Sequence, residues 1–265
     1  MGQRPIPAIS MRDFENRKEE IGRKLVDAAE KIGFFTLVDH VLSVEEIEKQ
    51  FAVSQKYFAQ PMEKKREIPY DNNTSLGYEK NYTVLARLWV SLRTTSRKPW
   101  MYQRTNCTNQ LRMLYYPEVE NSAGGWRHGN HTDIGCLTLV FQRDGEDGLD
   151  VMPGRKTHTS AIHGDDFFLI PAKMGPIVVN IGDMLMAWSD DRFKANWHRV
   201  RAKSVGFSPA RYSLGYFNMG REDFVFQGPL KKYPAITCGE YFHNHIKKQF
   251  EFFFACLCMS IEWKN

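Results

Sequence analysis

Residues 131–141 read HTDIGCLTLVF, and our interpretation of the chain starts from this stretch. A histidine and an aspartate two positions apart stand at the head of an apolar run that predicts a strand over residues 134–141. Residues i and i+2 of a strand point to the same side, so we expect the side chains of His131 and Asp133 to reach one metal ion. The pair alone is weak evidence, because a surface histidine beside a loop aspartate would give the same pattern.

The third ligand must come from another part of the chain, and we assign it to His198. This residue lies 67 positions after His131 and heads a segment of strand-like sequence. Distant strands of a barrel converge on one interior, so the separation is no obstacle. We set the other six histidines aside by their sequence context; His158 and His163, for example, lie in a polar stretch that we interpret as an exposed insertion. Two histidines and one carboxylate can occupy one face of an Fe(II) ion and leave the opposite face open.

An anion site is predicted 13 residues after His198, at Arg211 and Ser213. The two residues share one face of a predicted strand. A guanidinium group grips a carboxylate through two parallel hydrogen bonds, and a neighbouring hydroxyl adds a third. An arginine inside an apolar strand is costly to bury unless an anion meets it. An internal Asp or Glu as the partner of Arg211 remains the alternative.

Composition excludes several classes of protein. The 265 residues are 42% hydrophobic and 25% charged, which is typical of a chain with a large core. The net charge of +5 is not clustered, so we expect small anionic ligands and no nucleic acid. The longest apolar run, residues 252–259, is too short to span a bilayer. The five cysteines, odd in number and without CxxC spacing or a signal peptide, favour reduced thiols in a cytoplasmic protein.

The pattern of elements predicts a mainly β protein with flanking helices. The first part of the chain suggests an edge strand at 6–9, an amphipathic helix ended by Gly33, and a buried strand at 34–38. A capping box at Ser43–Glu46 opens a second helix, and Pro61 starts a third. Residues 79–110 show no pattern from which we predict an element. Short strands between Gly and Pro then predict a sandwich or barrel, and a helix over 238–263 closes the chain. The predicted strands are 111–116, 134–141, 149–152, 167–170, 177–181, 198–201 and 211–217.

The motifs taken together resemble the Fe(II)- and 2-oxoglutarate-dependent dioxygenase superfamily, in its isopenicillin N synthase-like branch. His131-Thr132-Asp133 matches its HxD motif, His198 its distal histidine and Arg211-Tyr212-Ser213 its RxS motif. The resemblance is nearest to the microbial group that includes thymine 7-hydroxylase and fungal natural-product oxygenases. Further matching segments are Gly33-Phe34-Phe35, 57–65, Gly77-Tyr78, 114–117 and 179–183.

The resemblance implies a double-stranded β-helix, or jelly roll, with Fe(II) held by His131, Asp133 and His198. It further implies that the far carboxylate of 2-oxoglutarate meets Arg211 and Ser213, with Tyr116 beside it. The implied reaction consumes O2, oxidises a small-molecule substrate in secondary metabolism, and releases succinate and CO2. Ascorbate would be a stimulant.

A substrate contact is predicted from spacing. Arg112 and Tyr116 lie four residues apart on one predicted strand, so both should face the interior. A buried arginine near the metal could contact an anionic or carbonyl-bearing substrate, and a salt bridge at the barrel rim is the alternative.

The expected organisation has three parts: an N-terminal α/β region packed on the barrel (1–110), the catalytic jelly roll (111–237) and a C-terminal helix (238–265). The chain departs from the family in two places. Only 34 residues separate Gly77 from Leu111, where relatives carry a longer helical segment, and residues 153–171 resemble an insertion. Three other functions stay open: a 2-oxoglutarate-independent Fe(II) oxidase, a non-catalytic barrel and, less favoured, a zinc hydrolase.

Overall fold

The computed structural model describes residues 6–71, 77–81, 85–91, 109–121, 125–154, 167–202 and 206–247. The helices in these ranges are α1 (Phe14–Lys31), α2 (Val44–Phe58), α3 (Met62–Arg66), α4 (Asp183–Trp188) and α5 (238–247). The strands are β1 (Ala8–Ser10), β2 (Phe34–Val38), β3 (Gly77–Asn81), β4 (Leu85–Ser91), β5 (Gln110–Tyr116), β6 (Val119–Asn121), β7 (Trp126–His131), β8 (Leu137–Phe141), β9 (Leu149–Val151), β10 (Phe168–Leu169), β11 (Ile177–Ile181), β12 (His198–Arg201), β13 (Gly206–Ser208), β14 (Arg211–Asn218), β15 (Val225–Phe226) and β16 (Ile236–Thr237). Among the described helices, none has the length and apolarity needed to cross a bilayer.

Two sheets face each other across the core. The major sheet has eight strands in the order β1-β2-β11-β8-β14-β5-β4-β3, and the minor sheet has four in the order β10-β9-β12-β7. Phe34 and Val178 of the major sheet pack against Leu149, Val151 and neighbouring residues from the minor-sheet side. This arrangement confirms the predicted jelly-roll core.

Helices cover the outer face of the major sheet. Phe35 and Val179 alternate with the inward residues of their strands and pack on Ile21 and Ala28 of α1. In the same way Leu214 of β14 packs against α2. Burying each such side chain contributes about 1.5–3 kcal/mol, so the helices stabilise the sheet whose other face carries the functional residues.

Local sequence determines where α1 ends and where α2 begins. The capping box is present, since the Ser43 hydroxyl accepts from the Glu46 amide and the Glu46 carboxylate accepts from the Ser43 amide. Gly33 follows the end of α1 with a φ of 78°. A Cβ there would lie 2.2 Å from the Lys194 carbonyl oxygen, so only glycine fits. Both predictions are confirmed.

The predicted strand over 134–141 is wrong in its first part. Residues 134–136 form a bend, and β8 begins at Leu137. The bend carries the chain from β7 in the minor sheet to β8 in the major sheet, so Asp133 lies in the connection and not on a strand. Gly182 permits this path, since a Cβ there would lie 2.1 Å from the Gly135 carbonyl oxygen.

Other predicted elements lie close to the observed ones. The strands predicted at 149–152, 167–170 and 211–217 correspond to β9, β10 and β14, with ends that differ by one residue. Strands β3 and β4 form an antiparallel hairpin in a region where no element was predicted. The first four strands join the major sheet, so strands from both sides of residue 110 share one sheet. Most of the 153–171 insertion, and the predicted helix beyond 247, fall outside the described residues.

Candidate metal centre

Three side chains converge between the two sheets. His131, Asp133 and His198 offer ligand atoms that all lie within 4.8 Å of one another. Nε2 of His131 is 3.8 Å from Oδ1 of Asp133, and Nε2 of His198 is 3.7 Å from Oδ2 of the same carboxylate. Asp133 and His198 are buried, whereas His131 is half-buried. The three ligands sit close enough for one ion to touch them all, and imidazole and carboxylate suit Fe(II).

Strand pairing places the two histidines side by side. His198 is the register partner of His131 between β12 and β7, and the ring centroids are 4.1 Å apart. Phe34 of the major sheet packs edge-on against His198, with the centroids 5.9 Å apart. Asp133 is the third member of the triad. The chain leaves β7 immediately after His131, and this brings the Asp133 carboxylate next to both imidazole rings.

Backbone carbonyls orient both imidazole rings. Nδ1 of His131 lies 2.9 Å from the Gly129 carbonyl oxygen, and Nδ1 of His198 lies 3.4 Å from the Asn196 carbonyl oxygen. A carbonyl can only accept, so in each neutral ring Nδ1 carries the proton and Nε2 keeps its lone pair. This is the tautomer that a metal ligand requires.

Two hydrogen bonds fix the carboxylate of Asp133. The Thr138 hydroxyl and the Asn180 amide both donate to Oδ2, at 2.6 and 2.8 Å. Burial raises the pKa of Asp133, but the positive charge that the two imidazoles carry when protonated, together with these donors, outweighs burial and lowers the pKa to about 2. The group is therefore ionised at neutral pH, as a metal ligand must be.

Arg211 lies at the other end of the same interior face. It is 2% exposed, and its guanidinium group donates to three neutral acceptors: the Glu146 carbonyl, the Ser213 hydroxyl and the Gln142 amide oxygen. The Tyr116 ring centroid lies 5.0 Å from it. No carboxylate of the described residues forms an ion pair with Arg211, so the alternative of an internal acidic partner finds no support there.

Arg112 lies on the interior face, two positions before Leu114 on β5. Leu114 and Tyr116 contact Val200 of the minor sheet, which shows that this side of β5 faces inward. The Arg112 guanidinium carbon lies 3.8 Å from the ring centroid of Phe217, and Nη2 donates to the Gln110 amide oxygen at 3.5 Å. Arg112 thus contacts an aromatic ring and a neutral amide on the inner side of the sheet.

Sequence reasoning missed the residues around the ligands. Thr138 and Asn180 hold Asp133, and Gln142 holds Arg211, yet none of the three was predicted to act. Each is a buried polar residue, in an otherwise apolar strand for Thr138 and Asn180 and directly after one for Gln142, and this was the available signal.

Two family models match consecutive parts of the chain. The first, described as the N-terminal region of non-haem dioxygenase in morphine synthesis, matches residues 6–116, and the second, the 2OG-Fe(II) oxygenase superfamily, matches residues 107–219. The chain belongs to the Fe(II)/2-oxoglutarate-dependent oxygenase superfamily. The second match contains all three residues of the triad and also Arg211, so the recognition from sequence is confirmed.

Curated oxygenases and oxidoreductases are similar over parts of the chain. The chain is 35% identical over 151 residues to the 2-oxoglutarate-Fe(II) type oxidoreductase hxnY of Emericella nidulans, covering 53% of this chain and 40% of that protein. It is 27% identical over 285 residues to a bi-functional coumaroyl CoA and feruloyl CoA ortho-hydroxylase of Ipomoea batatas, and the match covers 89% of this chain and 75% of that protein. The chain thus spans less than half the length of the first of these oxygenases.

Solved structures of other proteins share the fold. A full-length Neurospora crassa protein in complex with alpha-KG has a TM-score of 0.76 at 22% identity, covering 92% of this chain and 96% of that one. The dioxygenase for auxin oxidation in rice has a TM-score of 0.72 at 20% identity, covering 92% and 96%. These likenesses support the jelly-roll fold of this chain.

Proposed function

We propose that this chain is a non-haem Fe(II) oxygenase that depends on 2-oxoglutarate and oxidises a small-molecule substrate, with release of succinate and CO2. The observation that carries the proposal is the presence, in one jelly roll, of a His-Asp-His triad with two buried members and of a buried arginine that forms no ion pair with a described carboxylate. The triad has the donor set of an Fe(II) site, and the arginine has the chemistry of a carboxylate site.

The ligand roles follow from the geometry of the triad. His131 and His198 would each supply Nε2, which their hydrogen-bonded Nδ1 atoms leave available. Asp133 would supply Oδ1, because Oδ2 already accepts from Thr138 and Asn180. Bound iron supplies the capacity to activate O2, which no side chain of the protein possesses.

The 2-oxoglutarate role of Arg211 follows from its surroundings. A guanidinium group buried among neutral acceptors gains most from an incoming carboxylate, which would replace weak acceptors by a charged one. Ser213 lies 3.3 Å from the Arg211 Nη1 atom and can donate its hydroxyl proton to the same carboxylate. Tyr116, 1% exposed, forms an apolar wall beside them and excludes water.

Arg112 is our proposed substrate contact. Its guanidinium group is stacked on Phe217, on the interior face that also carries the 2-oxoglutarate residues. The pair offers a charged donor and a flat apolar surface, which suits a substrate that is anionic or bears a carbonyl group. Replacement of Arg112 by Ala should change the KM or kcat for that substrate, and values unchanged in both would refute this role.

The natural-product class of substrate and a cytoplasmic location are further parts of the proposal. Relatives from fungi and plants support the first, as an analogy. The described cysteines Cys136 and Cys238 are buried and reduced, in keeping with a reducing compartment. Nucleic acid and membranes are not among the proposed partners.

Succinate formation tests the proposal. Purified protein with Fe(II), 2-oxoglutarate and O2 should convert 2-oxoglutarate to succinate, faster when a turned-over substrate is present. The Asp133→Ala variant should form none, whereas Asp223→Ala, at an exposed aspartate outside the triad, should retain the wild-type rate. Iron binding without succinate formation for any substrate would favour the 2-oxoglutarate-independent oxidase instead.

A further inference from the structure

A second arginine is buried near Arg211, and the proposed reaction does not use it. Arg127 of β7 is 5% exposed. Its Nη2 donates to three backbone carbonyls, of Pro117, Ser208 and Pro209, at 2.7–3.3 Å, while its Nε has no hydrogen-bond partner among the described residues. In the part of the chain that the structure describes, no carboxylate pairs with it. Among the described residues, the positive charge of Arg127 is therefore stabilised by neutral carbonyl groups alone.

The two guanidinium groups act on each other. Burial lowers the pKa of Arg127, and the positive charge of Arg211 lowers it further. Arginine stays protonated even so, so both charges persist in the interior. Two like charges in a poorly solvated region destabilise one another unless an anion lies near both. The proposed 2-oxoglutarate site would supply an anion on the Ser213 side of Arg211 only.

A cavity of about 320 Å³ adjoins both arginines. Its lining includes Arg127, Arg201 and Arg211, together with residues 145–148 and 208–210. Gly145 and Pro209 at its rim are exposed, so it reaches the surface. Ser213, Gln142 and Tyr116 are not part of the lining, so Arg211 is the one residue that the cavity shares with the proposed 2-oxoglutarate site.

The two acidic residues of the lining are already engaged. The Glu146 carboxylate accepts from the Tyr212 amide and pairs with Arg143. The Asp147 carboxylate accepts from the Ala172 amide at 2.7 Å. The third arginine, Arg201, pairs with Asp150. Among the described lining residues, Arg127 and Arg211 are thus the cationic groups that form no ion pair, although the charge of Arg211 acts on the nearby Glu146 carboxylate.

We propose that this cavity is a second anion site, separate from that of 2-oxoglutarate, and that it binds a small oxyanion such as inorganic phosphate between Arg127 and Arg211. Binding neutralises the charge that burial leaves uncompensated, so the anion stabilises the folded protein. Anion binding in this cavity requires neither the metal nor the substrate.

The test is a thermal unfolding titration with inorganic phosphate at constant ionic strength. The protein is loaded with manganese(II) and saturating 2-oxoglutarate, so the primary anion site is filled. We expect a saturable rise in Tm of roughly 3–5 °C. In Arg127→Gln the saturable rise should disappear. In Arg221→Gln, a control at an exposed arginine paired with Asp223, it should remain.

Gly145 provides a second pair of variants that leaves the arginines in place. It lies at the rim with a φ of 74°, and a Cβ there meets no atom within 4 Å. Asp and Asn have the same shape and both tolerate this backbone conformation. Gly145→Asp should weaken phosphate binding at least several-fold, and Gly145→Asn should bind as the wild type does. Equal binding by the two variants, or a phosphate effect that saturating 2-oxoglutarate abolishes, would overturn the proposal.

Discussion

Thr138 and Asn180 are register partners on β8 and β11, and both donate a hydrogen bond to the same oxygen of Asp133. The major sheet thus holds Oδ2 of the carboxylate by two hydrogen bonds. Oδ1 remains directed toward His131, 3.8 Å from its Nε2. The metal ligand that lies in a connection between sheets is therefore as firmly held as if it lay on a strand.

These two hydrogen bonds predict the effect of removing either donor on metal binding. Asn180→Ala and Thr138→Val should each weaken metal binding about 10–100-fold, because the carboxylate loses a hydrogen bond that orients it. Thr138→Ser keeps the hydroxyl and should bind metal nearly as the wild type does. Competition against a metal chelator measures the affinities. Affinity unchanged in both deletion variants would show that the two donors do not position Asp133.

The close approach of two loops predicts a steric effect at Gly182. A Cβ there would meet the Gly135 and Asp133 carbonyl oxygens, at 2.1 and 2.9 Å. Gly182→Ala should therefore destabilise the protein by about 1–3 kcal/mol or more and displace Asp133. Gly22→Ala is the matched control, since its Cβ in α1 meets no atom within 4 Å and alanine favours a helix by about 1 kcal/mol. Denaturant unfolding of both variants measures the difference, and equal stability would contradict it.

Asp183 predicts a pH dependence of stability. Burial, opposed by the Thr132 hydroxyl and assisted by the charge of Asp133, raises the pKa of Asp183 to about 6. The folded protein favours the protonated form of an acid whose pKa is raised. Its contribution to the free energy of unfolding is therefore complete below its ordinary pKa and is lost as the pH rises through about 6. Asp183→Asn keeps an acceptor for Thr132 and should be more stable than the wild type at pH 7, by on the order of 2 kcal/mol.

Urea unfolding of the metal-free protein between pH 4 and 8 measures this effect. The wild type should lose stability across the interval relative to Asp183→Asn, and the two should converge near pH 4. Asp223→Asn, at an exposed aspartate, should leave the wild-type profile unchanged. Parallel profiles of wild type and Asp183→Asn would show that Asp183 does not titrate in this range.

The carboxylate site predicts unequal effects at its two polar residues. Arg211→Gln should raise the Kd for 2-oxoglutarate about 100-fold or more, because it removes a buried charge partner. Ser213→Ala should raise it about 5-fold, the effect of one neutral hydrogen bond. Titration calorimetry with the manganese(II) protein measures both. A larger loss in Ser213→Ala than in Arg211→Gln would contradict the assignment of Arg211 as the main carboxylate partner.

The sequence carries enough information for the ligands because each follows a local rule. An apolar run headed by HxD, a distal histidine and an Arg-x-Ser pair can be found by spacing alone. The capping box at Ser43 and the glycine at position 33 are equally local, and the structure has both as predicted. Elements of this kind depend on a few neighbouring residues, so they can be predicted without knowledge of the tertiary structure.

The remainder depends on contacts between distant residues. Strand β8 was predicted three residues too early because Ile134, Gly135 and Cys136 are apolar or small, yet Gly182 allows them to bend against it. Strands β3 and β4 show no regular alternation; pairing of β4 with β5, and of β3 with β4, places them in the sheet. Thr138, Asn180 and Gln142 act through partners 5 to 69 positions away, so a polar residue in or next to an apolar run is visible in the sequence but its partner is not.

The central claim is that one site binds Fe(II) through the triad and 2-oxoglutarate through Arg211. An anaerobic titration of metal-free protein with Fe(II) and then 2-oxoglutarate tests it most directly, by the weak visible charge-transfer band of the chelate. The band should form in the wild type, be absent in His131→Ala, and require far more 2-oxoglutarate in Arg211→Ala. Iron binding without the band would contradict the 2-oxoglutarate site, and no iron binding in the wild type would contradict the metal centre.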